Sequence, residues 1–295
     1  MILGTTTISN IRLGNSAVIR IILGNRQVWP VSILDPDAQA FLNAAGITDF
    51  TITTAINDLV IGLKSNSLWD KMRAIYPFVG GTATTHRWNL KDPRDLNAAF
   101  RLTFNGGFIH NSNGIIPGGL NGWANTFLNP SSLINNNTHM SYFSRTAPNR
   151  NSIEIGSQQD FGATLPRFGV SLAFGGTFAS DQYNFGSDRV ATSNSNTANG
   201  YYIATRTSNV SHKAFKNGVQ FGTTNTTPST TTITSLNTPI ALFGLNSTHI
   251  GGPVSGLYSS RTSSFISIGD GLSDSECVTL NTLVNNFQTT LGRPL

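Results

Sequence analysis

The sequence predicts a mainly β protein, an antiparallel sandwich that closes on one helix, and two observations carry this prediction. From about residue 79 onward, short apolar segments alternate with turns rich in Gly and Asn. A single capped helix then ends the chain at residues 273–291. Many short strands followed by one helix indicate two packed sheets. We expect three parts: a β repeat at residues 1–31, a helical connector at 32–78 and the sandwich at 79–295.

A ten-residue unit occurs three times at the start of the chain. Leu-Gly pairs and a second apolar position recur with this period, separated by polar turns. The pattern predicts a three-stranded meander, and about thirty residues are too few to form a core of their own. We therefore expect a docking or assembly element, with the first sheet of the main domain as the alternative. The predicted docking residues are Leu3, Ile8, Leu13, Val18, Leu23, Val28 and Trp29.

The region between this repeat and the sandwich has the spacing of helices. Asp35 is a good N-cap because a proline follows it at the first helical position, and Gly46 ends that segment. An apolar stripe at helical spacing covers residues 52–63, and a third short helix is expected at 68–75. These helices either form a separate connector or lie on the β domain that follows.

The sandwich region carries one strong hairpin signal. Asn217-Gly218 lies between two apolar segments, and this dipeptide is typical of a type I′ turn. The predicted strands are 100–104, 139–145, 167–174, 201–208, 212–221, 240–243 and 264–268.

The clearest helix is the last one. Ser273 and Glu276 have the spacing of a capping box, and Gly292 stops the helix. Its apolar face is expected to pack on the sandwich and consists of Leu280, Leu283, Val284, Phe287 and Leu291.

Composition limits the class of protein. Charged residues make up 11% of the 295, and Asn, Thr, Ser and Gly replace them, which is typical of β-rich extracellular, fibrous or virion proteins. The net charge of +5 comes from scattered residues, so we expect no nucleic-acid partner. No apolar segment reaches the length of a membrane span, and no signal peptide is visible. The lone Cys277 excludes an intrachain disulfide.

The residues favour neither catalysis nor metal binding. Glycoside hydrolases need two placed carboxylates, yet the chain has two glutamates in all, and Glu276 belongs to the helix cap. Glu154 has no acidic neighbour on its own strand. The five histidines are not paired at metal-ligand spacing, and no phosphate-binding loop occurs. We therefore predict no catalytic residues, no metal and no cofactor.

Several stretches resemble the laminin-G-like domains of tailed-phage structural proteins. These stretches are the aromatic-Lys-Asn-Gly hairpin at 215–218, the segments 76–83 and 89–95, and the end of the chain from 265 to 293. The repeated Leu-Gly opening that ends in Val28-Trp29 is similar too. The resemblance implies a concanavalin A-like jelly roll on a virion appendage, together with carbohydrate or surface recognition. Laminin-G-like domains often hold calcium, but no carboxylate-rich loop occurs here, so we do not predict that ion.

The sequence therefore predicts a non-enzymatic phage fibre or spike protein, assembled in the host cytoplasm and carried on the virion. Residues 1–31 would bind other virion proteins or further copies of the chain, with a trimer as the default for a fibre. The sandwich would recognise a host-surface polysaccharide. The alternatives are a decoration protein whose sandwich binds other virion subunits and, less favoured, a glycan hydrolase. The candidate glycan-binding residues are Trp123, Tyr183 and Tyr258.

Overall fold

A computed structural model describes residues 34–148, 150–159, 165–194, 198–229, 233–248 and 251–295, together with the backbone of six short strands between residues 2 and 29. No helix in these described parts is both long and apolar enough to cross a lipid bilayer.

The six N-terminal strands pair as three two-stranded hairpins, one for each repeat unit, where a single meander was predicted. Ile8 and Val18 lie outside the described residues, and the side chains of the other predicted docking residues are not described, so the docking role stays a prediction. The strands are β1 (Ile2–Leu3), β2 (Thr6–Thr7), β3 (Arg12–Leu13), β4 (Ser16–Ala17), β5 (Ile21–Leu23) and β6 (Arg26–Trp29).

Two of the three helices predicted before the sandwich are confirmed. Helix α1 (Pro36–Ala45) is capped by Asp35, whose carboxylate accepts a hydrogen bond from the amide of Asp37. Helix α2 (Phe50–Ser65) is capped in the same way by Asp49.

The prediction of a third helix at 68–75 is wrong. A single 3₁₀ turn at Trp69–Lys71 leads into strand β7 (Met72–Tyr76), which pairs with a sheet strand further along the chain. Both faces of β7 are buried, since Ala74 lies in one hydrophobic cluster and Ile75 in the other. A strand buried on both faces lacks polar alternation, so its sequence resembles a helix. A four-residue helix, α3 (Ala83–His86), follows.

The sandwich consists of two sheets, which confirms the predicted fold class. The eight-stranded sheet contains β7, β9 (Phe108–Asn111), β10 (Gly114–Pro117), β12 (Thr138–Ser144), β17 (Gly200–Ser208), β18 (Ser211–Lys216), β19 (Val219–Gln220) and β23 (Ser263–Gly269). The nine-stranded sheet contains β8 (Thr103–Asn105), β11 (Trp123–Asn125), β13 (Ile155–Gln158), β14 (Pro166–Phe174), β15 (Thr177–Asn184), β16 (Val190–Ser193), β20 (Ala241–Leu242), β21 (Asn246–Ser247) and β22 (Gly252–Pro253).

Strand pairing is antiparallel throughout these sheets except between β13 and β21. The predicted hairpin is present: Lys216 pairs with Val219, and Asn217 and Gly218 have φ angles of 52° and 80°. The predicted strand at 100–104 is displaced. Phe100 has a φ of 61° and ends a 3₁₀ turn, and β8 starts at Thr103.

Two hydrophobic clusters organise the molecule. The first lies between the sheets and includes Tyr142, Phe168 and Phe178. The second lies on the outer face of the eight-stranded sheet, which α1, α2 and the final helix α4 (Asp274–Thr290) cover. The helices thus lie on the β domain, the second of the two arrangements considered above.

Helix α4 begins with the predicted capping box, in which Ser273 and Glu276 bond each other's backbone amides. Leu280, Val284 and Phe287 are buried. Leu283 and Leu291 are half-buried at the edge of the same face.

Candidate functional site

One outer face of the sandwich remains open. Helices cover the outer face of the eight-stranded sheet, whereas a groove of about 370 Å³ lies on the outer side of the nine-stranded sheet. Along β14, Phe168 and Leu172 point into the core, so by strand alternation Gly169 and Ser171 face outward into this groove. We call this feature the outer groove.

The floor of the outer groove is made of small residues from three neighbouring strands. Ser171 of β14 lies opposite Ala179 of β15, which lies opposite Ala191 of β16. Gly169 continues the floor along β14. Ala179 is half-buried and Ala191 exposed, so a ligand can come close to the sheet at β15 and β16, whereas Ser171 is buried and donates to the backbone oxygen of Ser152 at 2.6 Å.

An aromatic side chain stands at one end of the groove. Phe174 and Thr177 flank the turn between β14 and β15, where Gly175 and Gly176 have φ angles of 58° and 75°. This turn places Phe174 at the rim with 42% of its surface exposed. Ile153 and Leu257 form a side wall, tied together by a backbone hydrogen bond of 3.0 Å.

A charged cluster stands at the other end. Asp181 accepts hydrogen bonds from Nε and Nη2 of Arg189 at 2.9 and 2.8 Å. Nη1 of Arg167 lies 3.9 Å from the same carboxylate. Both guanidinium groups lie against Phe185, with 4.1 Å and 4.7 Å between their carbons and the ring centroid. We call Arg167, Asp181 and Arg189 the Arg–Asp–Arg cluster.

The two arginines have different electrostatic environments. Burial lowers the pKa of Arg167 to about 10, because its charge is desolvated more than Asp181 compensates. The hydrogen bonds that Arg189 donates to Asp181 raise the pKa of Arg189. Both groups stay cationic at neutral pH, so the cluster holds two positive charges and one negative charge.

The predicted sugar-binding role of Tyr183 is wrong. The side chain is fully buried between the sheets, and its hydroxyl lies 3.2 Å from that of Thr138. The guanidinium of Arg206 lies 5.1 Å from the ring centroid. A ring without exposed surface has no face on which a sugar can stack.

The other two predicted residues lie together but outside the outer groove. Trp123 and Tyr258 are half-buried and both flank Gly244. A Cβ atom on Gly244 would lie 3.4 Å from the ring of Tyr258 and 3.6 Å from Cβ of Trp123. Their role in glycan binding stays a prediction.

Glu154 is enclosed in a buried polar network. One carboxylate oxygen accepts from Arg261 at 2.7 Å, Ser152 at 2.7 Å and Ser259 at 3.1 Å. The other accepts from the amide of Leu172 at 2.7 Å. Both Glu154 and Arg261 are fully buried, so this carboxylate is committed to the interior of the fold.

Two histidines that are distant in sequence meet in the fold. Nδ1 of His86 lies 3.0 Å from Nδ1 of His110. Burial lowers the pKa of His86 to about 3, with smaller contributions from His110 and Arg293. Within the described residues, no group of three or more side chains could hold a metal ion. His249 lies outside the described residues.

The residues of the outer groove were not predicted from the sequence, although β14 contains a signal for them. Large apolar residues at 168, 170 and 172 alternate with Arg167, Gly169 and Ser171. This alternation predicts a strand with one buried and one open face. It does not show that Asp181 and Arg189 lie beside Arg167, because that depends on how β14, β15 and β16 pair.

The solved structures that are similar to this chain are similar at low identity and low TM-score. No family model and no curated protein matches the chain. The carbohydrate-binding module CBM40 of the Ruminococcus gnavus IT-sialidase, bound to α2,6 sialyllactose, is 15% identical with a TM-score of 0.39, covering 51% of this chain and 85% of that one. A second similar structure is domain 4 of AbnA, a GH43 extracellular arabinanase from Geobacillus stearothermophilus, in complex with arabinotriose. It is 14% identical with a TM-score of 0.43, and the match covers 72% of this chain and 98% of that one.

A Trypanosoma rangeli sialidase mutant with trans-sialidase activity is 11% identical with a TM-score of 0.48, covering 79% of this chain and 39% of that one. At such identities these likenesses do not indicate what this chain binds. The phage resemblance found in the sequence stays a prediction.

Proposed function

We propose that this protein is a non-enzymatic glycan-binding protein and that the outer groove is its binding site. The observation that carries the proposal is the make-up of the groove: a floor of small residues between an exposed phenylalanine and a charged cluster. Aromatic rings stack on the apolar faces of sugars, and arginine and aspartate pair with their hydroxyl groups. A groove of about 370 Å³ is in the size range of small-ligand sites.

The carboxylates favour binding over hydrolysis. Asp181 is the one carboxylate among the described residues that line the outer groove, and both its oxygens accept hydrogen bonds from Arg189. Hydrolysis of a glycosidic bond needs an acid and a second carboxylate about 5–10 Å away. Glu154 is committed to Arg261 in the interior.

The biological setting that we propose is a tailed-phage virion, as a fibre or spike, with a decoration protein as the alternative. Its support is the sequence resemblance and the repeated N-terminal hairpins, each spanning one ten-residue unit. Hairpins of this size do not form a stable core alone, so residues 1–31 would hold the protein against other virion subunits or copies of itself. Light scattering of the full chain and of a chain lacking residues 1–31 tests this role. Loss of oligomers on truncation supports it, and an unchanged number of chains per oligomer contradicts it.

Glycan binding is tested by screening the full chain on a glycan array and measuring the affinity of each hit by calorimetry. Ala191→Trp places a large ring on the groove floor at a position that is already exposed. We expect it to weaken binding at least tenfold. Ala40→Trp, an equal change on the exposed side of α1, is the matched control. The proposal is wrong if the wild-type chain binds no glycan, or if Ala191→Trp binds as tightly as Ala40→Trp.

A further inference from the structure

The Arg–Asp–Arg cluster has more positive than negative charge. Both carboxylate oxygens of Asp181 already accept hydrogen bonds. Oδ1 accepts from Arg189 Nε at 2.9 Å and from the amide of Gly186 at 3.2 Å, and Oδ2 accepts from Arg189 Nη2 at 2.8 Å. This bidentate pair neutralises Arg189. One further cation, Arg167, stands beside it.

Arg167 has no carboxylate of its own. Its Nε and Nη2 both donate to a neutral acceptor, the side-chain oxygen of Gln158. Its Nη1 lies 3.9 Å from Asp181, beyond hydrogen-bond distance. The side chain is 14% exposed, so its charge is largely desolvated. A largely desolvated cation whose nearest counter-charge is 3.9 Å away and already paired with Arg189 is costly, and a bound anion would relieve that cost.

Both arginines have a donor left for a ligand. Within the described part of the chain, Nη1 of Arg167 and Nη1 of Arg189 donate no hydrogen bond. Phe185 fixes both guanidinium groups side by side at one end of the outer groove. Arginine side chains held in this manner lose little freedom when they bind, and their planar donors match a carboxylate.

We propose that this end of the outer groove binds the carboxylate of an acidic sugar, whose ring then lies over the small-residue floor toward Phe174. The inference rests on the proposed glycan binding and adds the class of sugar. A carboxylate fits this arrangement because it has two oxygens, one for each of the two free Nη1 donors, whereas a sulfate ester carries a third terminal oxygen for which the cluster has no further free donor. The ligand needs no positive group to pair with Asp181, since Asp181 is already paired with Arg189.

The test compares three forms of one oligosaccharide on the full chain by calorimetry: one with a hexuronic acid, the same molecule with its carboxyl group reduced to the alcohol, and a sulfated neutral form. We expect the acidic form to bind at least tenfold more tightly than the reduced form. Arg167→Gln should remove that difference, so that the acidic and reduced forms bind within twofold of each other. Arg167→Lys should restore part of it, because lysine keeps the charge and loses the planar donors.

Arg94→Gln is the control, since Arg94 is an exposed arginine outside the groove, paired with Asp92. Thermal melts of each variant exclude unfolding as the cause. Equal binding of the acidic and reduced forms, with Ala191→Trp abolishing both, would overturn this inference and leave the proposed function intact. Preference for the sulfated form would overturn the choice of a carboxylate. No binding of any form, on this set and on the array, would overturn both proposals.

Discussion

The two outer faces of the sandwich differ in the size of the side chains that point outward. On the eight-stranded sheet these are large and apolar, among them Phe143, Tyr201 and Phe265, and three helices cover them. On the nine-stranded sheet the floor of the outer groove consists of Gly, Ser and Ala, with Phe174 at one end and the Arg–Asp–Arg cluster at the other. A face of large apolar residues must be covered to be stable, whereas a face of small residues can stay in water and accept a ligand. The covered face therefore carries stability, and the open face is where we propose that ligands bind.

Acid should have the largest effect, and it should act through buried histidines. His139 lies on the covered face with Nδ1 bonded to the backbone oxygen of Asp270, and burial lowers its pKa to about 4. His212, bonded to the backbone oxygen of Asp188, has its pKa lowered to about 3 for the same reason. An unfolded histidine has a pKa of about 6.5. The neutral form therefore stabilises the fold fully above about pH 6.5, and this contribution is lost as the pH falls toward the folded values.

We expect the free energy of unfolding to drop steeply between pH 7 and pH 5, a window in which carboxylates titrate little. Urea denaturation at several pH values measures this. His139→Asn should be less stable at pH 7 and show a shallower pH dependence. A midpoint that stays constant from pH 7 to pH 5 would contradict the assignment.

The next largest loss of stability should come from shortening a buried side chain of the covered face. Phe287 is 2% exposed and packs edge-on against Phe265. Phe287→Ala should lower the free energy of unfolding by about 3–5 kcal/mol, as large-to-small core substitutions do. Leu283→Ala should cost less, because Leu283 is half-buried beside Gly62 of α2. Val278→Ala, at an exposed position of the same helix, is the control and should be neutral. Equal melting temperatures for Phe287→Ala and Val278→Ala would show that this face carries no stability.

Breaking the buried ion pair should have a somewhat smaller effect. Glu154→Gln leaves Arg261 without its counter-charge in the interior, which should cost about 3 kcal/mol. Asp92→Asn removes the exposed partner of Arg94 and should cost less than about 1 kcal/mol. Chemical denaturation compares the two. Glycan affinity should be unchanged in Glu154→Gln below its melting temperature. Release of new reducing ends from a host polysaccharide that disappears in Glu154→Gln would contradict the non-enzymatic role.

The smallest change in stability and the clearest change in binding should come from the open face. Phe174→Ala removes an exposed ring at the rim of the outer groove and should weaken glycan binding about tenfold, or about 1.4 kcal/mol. The unfolding free energy should change by less than about 0.5 kcal/mol, as for surface positions generally. Ile109→Ala, another exposed apolar residue at 62% exposure, should leave the affinity unchanged. An affinity loss in both variants would mean that the effect is not specific to the groove.

Local signals made the fold predictable. The capping box of Ser273 and Glu276, the N-cap at Asp35 and the Asn217-Gly218 turn each depend on residues close in sequence, and all three are present. β7 could not be predicted, because its partner lies almost two hundred residues away in β23. The apolar residues of β7 fill both sides of the sheet and give no periodic pattern that would identify a strand.

The site was harder to predict than the fold. Sequence composition favoured Trp123, Tyr183 and Tyr258 because aromatic residues in polar loops often bind sugars, yet Tyr183 is needed in the core. The outer groove is assembled by the register of β14, β15 and β16, which sets Arg167 and Asp181 on neighbouring strands. Register depends on the whole sheet, so the sequence of any one strand does not reveal it.

The floor of the outer groove also bears on how the binding preference of such a protein could change during evolution. At Gly169 a Cβ atom would lie 2.9 Å from the backbone oxygen of Ile155, so the sheet itself forbids a larger residue there. Ala191 is exposed and meets no such constraint. Substitutions at 191 can therefore reshape the proposed binding surface without loss of fold, while residue 169 has to stay glycine and the groove keeps its depth there. Variation between related chains should concentrate on β16 and avoid the centre of β14.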